Sequence, residues 1–195
     1  MPPARRCVFL THPNVVISRD VPVPRWPLSA RGLERMRAGL AQPWLRGVSA
    51  LYCSEEQKSL DSAAVLAGAL TLPVNVVAAL GENDRSSTGF LEPDEFERTA
   101  DRFFAAPDES VRGWETARAA QRRIVEAVAT LVAADRTRGT IFVVSHGAVG
   151  ALLQCSLAAR PISRAWDQPA NGGGNYFTFT LSPPQVDQGW RPFDE

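Results

Sequence analysis

The sequence predicts an α/β fold, a three-layer α/β/α sandwich around a mostly parallel central sheet. Two observations predict it. Short apolar runs rich in strand formers alternate with longer stretches whose apolar residues recur at helical spacing, the pattern of strand–helix–strand units paired in parallel. The runs Cys7-Val8-Phe9-Leu10 and Ile141-Phe142-Val143-Val144 are apolar at every position, as strands covered on both faces require. The 195 residues are expected to form one domain, 1–195, with a helical insertion around 82–110.

Each element follows from local chemistry. After the first run, residues 13–27 carry Pro13, Pro22, Pro24 and Pro27 and read as loop. Ser29 is placed to cap a helix whose inner face is Leu33, Met36 and Leu40, closed by Pro43. Residues 48–53 form a second buried run. A helix is expected from Ser54, with Ser54 as its cap and Glu55 and Glu56 in its positive first turn. A third strand is expected at 74–79, before a polar, Gly-bearing stretch at 81–91. Pro93 suits a first helical position, ahead of Phe96, Ala100 and Phe103 on one face. A long helix is expected over about 114–134, a fourth strand over 139–145, and a further helix leaving directly from His146. Gly172, Gly173 and Gly174 read as a turn into the last strand at 176–181, with the tail after Ser182 as loop. The five tryptophans read as packing residues, with Trp114 a candidate to line a pocket.

Composition bounds the function. Lys plus Arg equals Asp plus Glu at 21 each, so no global field recruits nucleic acid or an acidic membrane surface. Cys7, Cys53 and Cys155 are widely spaced with no CxxC pair and read as buried reduced thiols rather than a disulfide framework. No run reaches membrane-helix length and the N-terminus has no signal-peptide core, so a cytoplasmic protein is expected.

The chain has two histidines, and each directly follows a strand-like run: His12 in Thr11-His12-Pro13 and His146 in Ser145-His146-Gly147. In open α/β sheets the strand ends are where ligand chemistry is placed. One such histidine is ordinarily structural; two that exhaust the histidines of the chain point to a shared active site, since imidazole carries protons or attacks near neutral pH. Other nucleophile patterns fail. The sixth residue after Cys53 is Ser59 rather than the arginine of a cysteine phosphatase, and no Gly-x-Ser-x-Gly elbow is present.

In order along the chain stand strand-x-His-x, then Ser54-x-x-x-Lys58, Leu80-Gly81-Glu82, Gly113-Trp114-Glu115-Thr116 and Ser145-His146-Gly147. This series resembles the histidine phosphatase superfamily, the phosphoglycerate-mutase-like fold, over about residues 6–181. The resemblance implies that His12 attacks phosphorus to give a phosphohistidine, that Glu82 protonates the leaving oxygen and later activates water, and that His146 steadies the equatorial oxygens. It implies no cofactor and no metal, and the sequence holds no His-x-x-x-His or cysteine cluster. The expected activity is hydrolysis of a small phosphomonoester.

The family's Arg-His-Gly stands here as Thr11-His12-Pro13, and its second arginine as Lys58. A lysine is a flexible point charge where the family uses a bidentate fork, and Thr11 brings no charge. The substitutes on offer for phosphate binding are Arg19 and Arg25 in the loop after His12, Arg85 just beyond Glu82, Ser18 where the family often carries a phosphate-contacting asparagine, and Gly147 at the helix start. The competing expectation is a weak or inactive member that binds a phospho-ligand or regulates. A mutase is the weakest reading, because the family's mutases depend on a full arginine pocket.

Overall fold

In the computed structural model, which describes residues 5–195, six strands form one mixed sheet in the order β3-β2-β4-β1-β5-β6. The strands are β1 (Arg6–Thr11), β2 (Val48–Cys53), β3 (Val74–Val76), β4 (Thr140–Ser145), β5 (Asn175–Leu181) and β6 (Pro184–Pro192). The helices are α1 (Ala30–Gly39), α2 (Gln57–Leu70), α3 (Pro93–Ala105), α4 (Ala117–Ala134) and α5 (Gly147–Leu157). β4 pairs in parallel with both β1 and β2, and β2 with β3; β5 and β6 extend the β1 edge antiparallel. The expected α/β/α layering is therefore present.

Side-chain alternation builds the layers. Cys7, Phe9, Ile141, Val143, Phe177 and Phe179 face one side and pack against α3, α4 and α5 through Phe103, Ile124, Val128 and Leu152. Val8, Leu10, Phe142, Val144 and Tyr176 face the other, against Met36 of α1, Ala63 and Leu66 of α2, and Phe193. The apolar runs Cys7–Leu10 of β1 and Ile141–Val144 of β4 thus serve two cores at once.

Local signals hold where a hydroxyl or a proline acts alone. Ser29 caps α1 by accepting from the Gly32 N–H at 3.1 Å, and Pro93 occupies the first turn of α3. Other expectations need correction. β3 spans three residues and is followed by a 3₁₀ turn (Ala78–Leu80) rather than continuing to residue 79. α4 begins at Ala117, capped by Thr116, which accepts from Ala119 N–H at 3.1 Å. α2 begins at Gln57, and Glu56, in extended conformation, precedes it; Ser54 and Glu55 lie before the helix. The tail after Ser182 is strand β6, not loop. Its residues alternate between exposed and half-buried along an edge, which leaves no apolar run to read.

One turn needs its glycines. Gly172, Gly173 and Gly174 all have positive φ, and a Cβ on Gly173 would lie 2.2 Å from the His12 carbonyl oxygen. That close approach lets the Gly174 N–H donate to the same oxygen at 3.0 Å, tying the start of β5 to the chain beyond β1. The three cysteines are free and buried. Among the described residues no helix is long and apolar enough to cross a membrane.

Candidate active site

The strand register brings the two histidines together. β1 and β4 run side by side with Thr11 opposite Ser145, so the next residue on each strand is also opposite its partner. The His12 and His146 rings meet edge to face with centroids 5.2 Å apart. The His12 N–H donates to Ser145 O at 3.2 Å, fixing the first residue past the strand.

The ring of His12 has one assignable tautomer. Its Nδ1 lies 3.0 Å from the Pro13 carbonyl oxygen, which can only accept, so Nδ1 carries the hydrogen and Nε2 keeps its lone pair. Burial, seconded by the charge of Lys58, lowers the pKa of His12 to about 4, so the ring is neutral at pH 7. Pro13, which lacks a donor of its own, serves the site through its carbonyl.

His146 is completely buried. Its Nε2 lies 2.7 Å from Ser54 Oγ and 3.3 Å from Glu56 Oε1, while its Nδ1 has no hydrogen-bond partner. Burial holds its pKa well below the ordinary imidazole value, against the pull of Glu56. Ser54 thus does not cap α2 as its sequence position suggests; its hydroxyl reaches the imidazole instead.

Glu82 follows the Ala78–Leu80 turn and reaches the start of α5. Its carboxylate accepts from the N–H groups of Ala148 at 3.2 Å and Val149 at 3.1 Å, where the helix end favours negative charge. Burial nonetheless raises its pKa, with Arg85 opposing and Glu56 adding to the rise. A carboxyl group whose pKa is raised by burial has the character of a general acid. Arg123 fixes the segment that carries it, donating to Ala79 O and Gly81 O at 2.9 Å each and to Glu82 O at 3.1 Å. The same guanidinium grips Glu115 of the Gly113–Thr116 element through two hydrogen bonds. Trp114 of that element is buried in the core and donates to Thr88 Oγ1, so it does not line the cleft.

Lys58 is 3% exposed and already engaged. It donates to Val23 O at 2.9 Å and pairs with the Glu56 carboxylate. Burial works against ionisation of Glu56, but His146, Lys58 and the hydrogen bonds from Lys58 and the Glu82 N–H bring its pKa down to about 2. Lys58 is the operative cation, because His146 is itself held neutral by burial.

Thr11, expected from the sequence to replace an arginine, is completely buried in a neutral network. Its hydroxyl donates to Gln168 Oε1 at 2.7 Å and accepts from the Asn175 N–H at 3.1 Å. Asn175 Nδ2 donates to the same Gln168 oxygen at 3.0 Å. Gln168 is thereby oriented with its amide nitrogen over Gly147, where a Cβ would stand 2.5 Å from Nε2.

The four other residues named from the sequence divide. Arg85 and Arg25 line a cleft of about 940 Å³ that opens onto Glu56 and Glu82. Neither histidine is among the residues that line it. Arg85 stacks over Phe96 at 5.0 Å, and its charge contributes to lowering both histidines. Arg19 turns elsewhere, to Glu92 and over the Phe90 ring. Ser18 Oγ accepts from the Asp20 N–H at 3.3 Å and does not line the cleft. The residues not foreseen are Glu56 and Gln168. The signal for Glu56 is an acid two residues before the cation in Ser54-x-x-x-Lys58; nothing in the sequence marks Gln168.

Comparison with known proteins agrees with this architecture. The profile of the "Histidine phosphatase superfamily (branch 1)" matches residues 19–186. No curated protein matches the chain in sequence. A mycobacterial glucosyl-3-phosphoglycerate phosphatase solved with inorganic phosphate superposes with a TM-score of 0.78 at 21% identity, covering 98% of this chain and 100% of its own. The alpha-ribazole phosphatase from Shigella flexneri gives 0.69 at 19% identity, over 94% and 95% of the two chains. YhfR of Bacillus stearothermophilus gives 0.73 at 20% identity, over 95% of each. With a family profile spanning most of its length and this fold beneath it, the chain belongs to branch 1 of the histidine phosphatase superfamily.

Proposed function

We propose that the protein is a metal-independent phosphatase that hydrolyses a small phosphomonoester through a phosphohistidine at His12. The observation that carries the proposal is the Nδ1–Pro13 carbonyl hydrogen bond, which leaves a neutral imidazole with its Nε2 lone pair free beside His146. In the first step Nε2 bonds to phosphorus and the P–O bond to the leaving group breaks. Glu82, with its raised pKa, gives its proton to the departing oxygen. In the second step the Glu82 carboxylate takes a proton from water, the oxygen attacks phosphorus, and the N–P bond returns its electron pair to His12. Arg85 supplies positive charge at the cleft, and the cytoplasm is the expected compartment.

A second reading has its own observation. Lys58 is spent on Glu56 and the Thr11 hydroxyl on Gln168, which leaves only Arg25 and Arg85 of the cleft lining, Arg85 already stacked on Phe96, as cations for a phosphate dianion. A phospho-ligand-binding or regulatory protein with weak or no turnover fits that charge balance. The deciding experiment is hydrolysis of a generic aryl phosphate by the purified protein in the presence of a chelator, beside His12→Ala. Hydrolysis lost in the variant supports the phosphatase. No turnover across a phosphomonoester panel favours the binding protein, and turnover that survives His12→Ala removes the phosphohistidine.

A further inference from the structure

Among the described residues Glu56 is the buried acid at the centre of the site, and its two oxygens are divided. Oε2 pairs with Lys58; Oε1 accepts from the Glu82 N–H at 2.8 Å and stands 3.3 Å from His146 Nε2. A carboxylate oxygen facing a ring nitrogen is stable only if that nitrogen carries a hydrogen, because two lone pairs would otherwise oppose each other. Ser54 Oγ, 2.7 Å from Nε2, can accept from it or donate to it, and the Glu56 charge 3.3 Å away favours the form with the hydrogen on Nε2 and Ser54 as its acceptor. In the neutral ring this leaves Nδ1 as a bare lone pair, fully buried and without a partner. A bare lone pair repels a phosphoryl oxygen. The ring can bind one only by taking up a proton at Nδ1, and Glu56 is already placed to stabilise the imidazolium through Nε2.

We infer that Glu56 is a positioning residue that makes His146 a proton-loaded anion ligand, so that binding a phosphate-type dianion takes up one proton and supplies the positive charge that Thr11 does not. The inference rests on the phosphate-site reading of the same pocket, not on turnover. The charged and titratable groups that face His146 are His12 beyond β1, Glu56 and Lys58 at the start of α2, and Arg85 beyond Glu82. The two cations and the burial keep the ring neutral when the site is empty, and an arriving dianion reverses that balance.

Sulfate is the probe of choice, since it stays a dianion across the working range and adds no titration of its own. The wild-type dissociation constant for sulfate is expected to weaken about tenfold per pH unit above neutrality, the dependence of a single linked proton. His12→Gln leaves His146 as the one imidazole in the chain, and its ¹⁵N signals should move to imidazolium values when sulfate is added at pH 7. Glu56→Gln should bind sulfate several-fold more weakly at pH 7. If Glu56→Gln instead binds sulfate more tightly with the pH slope unchanged, the carboxylate merely repels the anion and the inference is wrong. A His146 signal that stays neutral with sulfate bound overturns it equally, and that measurement does not depend on the folding of the Glu56 variant. Absence of sulfate binding at any pH overturns the phosphate-site reading and the inference with it. Proton-linked binding without turnover on any phosphomonoester sustains the inference while removing the phosphatase.

Discussion

Removing Lys58 tests how the site tolerates a buried carboxylate. Lys58→Met deletes the ammonium that pairs with Glu56 while keeping most of the packing volume beside Val23. Glu56 is 9% exposed, and its pKa falls from the ordinary 4.5 to about 2 in the folded chain. Lys58 is one of several causes of that fall, and its removal is expected to cost about 3 kcal/mol, the lower end of the roughly 3–5 kcal/mol lost when one partner of a buried pair is removed. For a chain of this length that is a drop in Tm of about 6–12 °C. The sign with pH follows from a depressed carboxyl: the stabilisation is complete above pH 4.5 and is lost as pH falls toward 2. Urea denaturation of the wild type, Lys58→Met, and Lys58→Met combined with Glu56→Gln at pH 7 and pH 3.5 measures it. The double variant should recover most of the loss, because it removes both charges, and its acid sensitivity should be smaller than that of the wild type. A loss below about 1 kcal/mol in the single variant, or no recovery in the double, would refute the pairing as the reason Lys58 is held there.

Other outcomes follow from the same geometry. The pH profile of kcat/KM should have an acid limb near 4, where His12 gains a proton and loses its nucleophilic lone pair, and an alkaline limb from loss of the Glu82 proton. The alkaline limb should lie above the ordinary carboxylate range, and a rate flat from pH 5 to pH 9 contradicts those roles. Gly147→Ala sets a methyl 2.5 Å from Gln168 Nε2, the far end of a flexible side chain. It should cost less than about 1 kcal/mol of stability yet weaken sulfate binding, and a large stability loss with unchanged binding contradicts the placement of that amide at the site. Phe193→Ala removes a ring that is 1% exposed and packs against Trp44, Phe142 and Tyr176 just past β6. It should cost about 3–5 kcal/mol by thermal unfolding, and a cost near zero would show the tail is not part of the core.

What the sequence disclosed follows from burial. The central stretches of β1 and β4 are covered on both faces, so they appear as unbroken apolar runs, and parallel pairing of β1 with β4 made the two histidines neighbours. β6 lies at the sheet edge with its side chains alternately exposed and half-buried, and Pro183, Pro184 and Gly189 in the segment look like loop chemistry. The pocket charges were harder. Inside a helix, residues two apart do not face each other, so Glu56 and Lys58 read as separate faces. They meet because α2 begins only after Glu56, whose extended backbone turns its carboxylate inward. That late start in turn reflects Ser54, whose hydroxyl binds His146. Nothing in the sequence marked Thr11 as part of the Gln168–Asn175 network, which joins residues some 160 positions apart.

The central claim is that His12 is the nucleophile. The direct test is rapid-quench trapping of the enzyme with a labelled aryl phosphate, followed by peptide mapping. The account predicts an acid-labile, base-stable phosphoryl group on the peptide that contains His12, absent from His12→Ala. Label on any other residue, or turnover with no phosphoenzyme at any quench time, would contradict it.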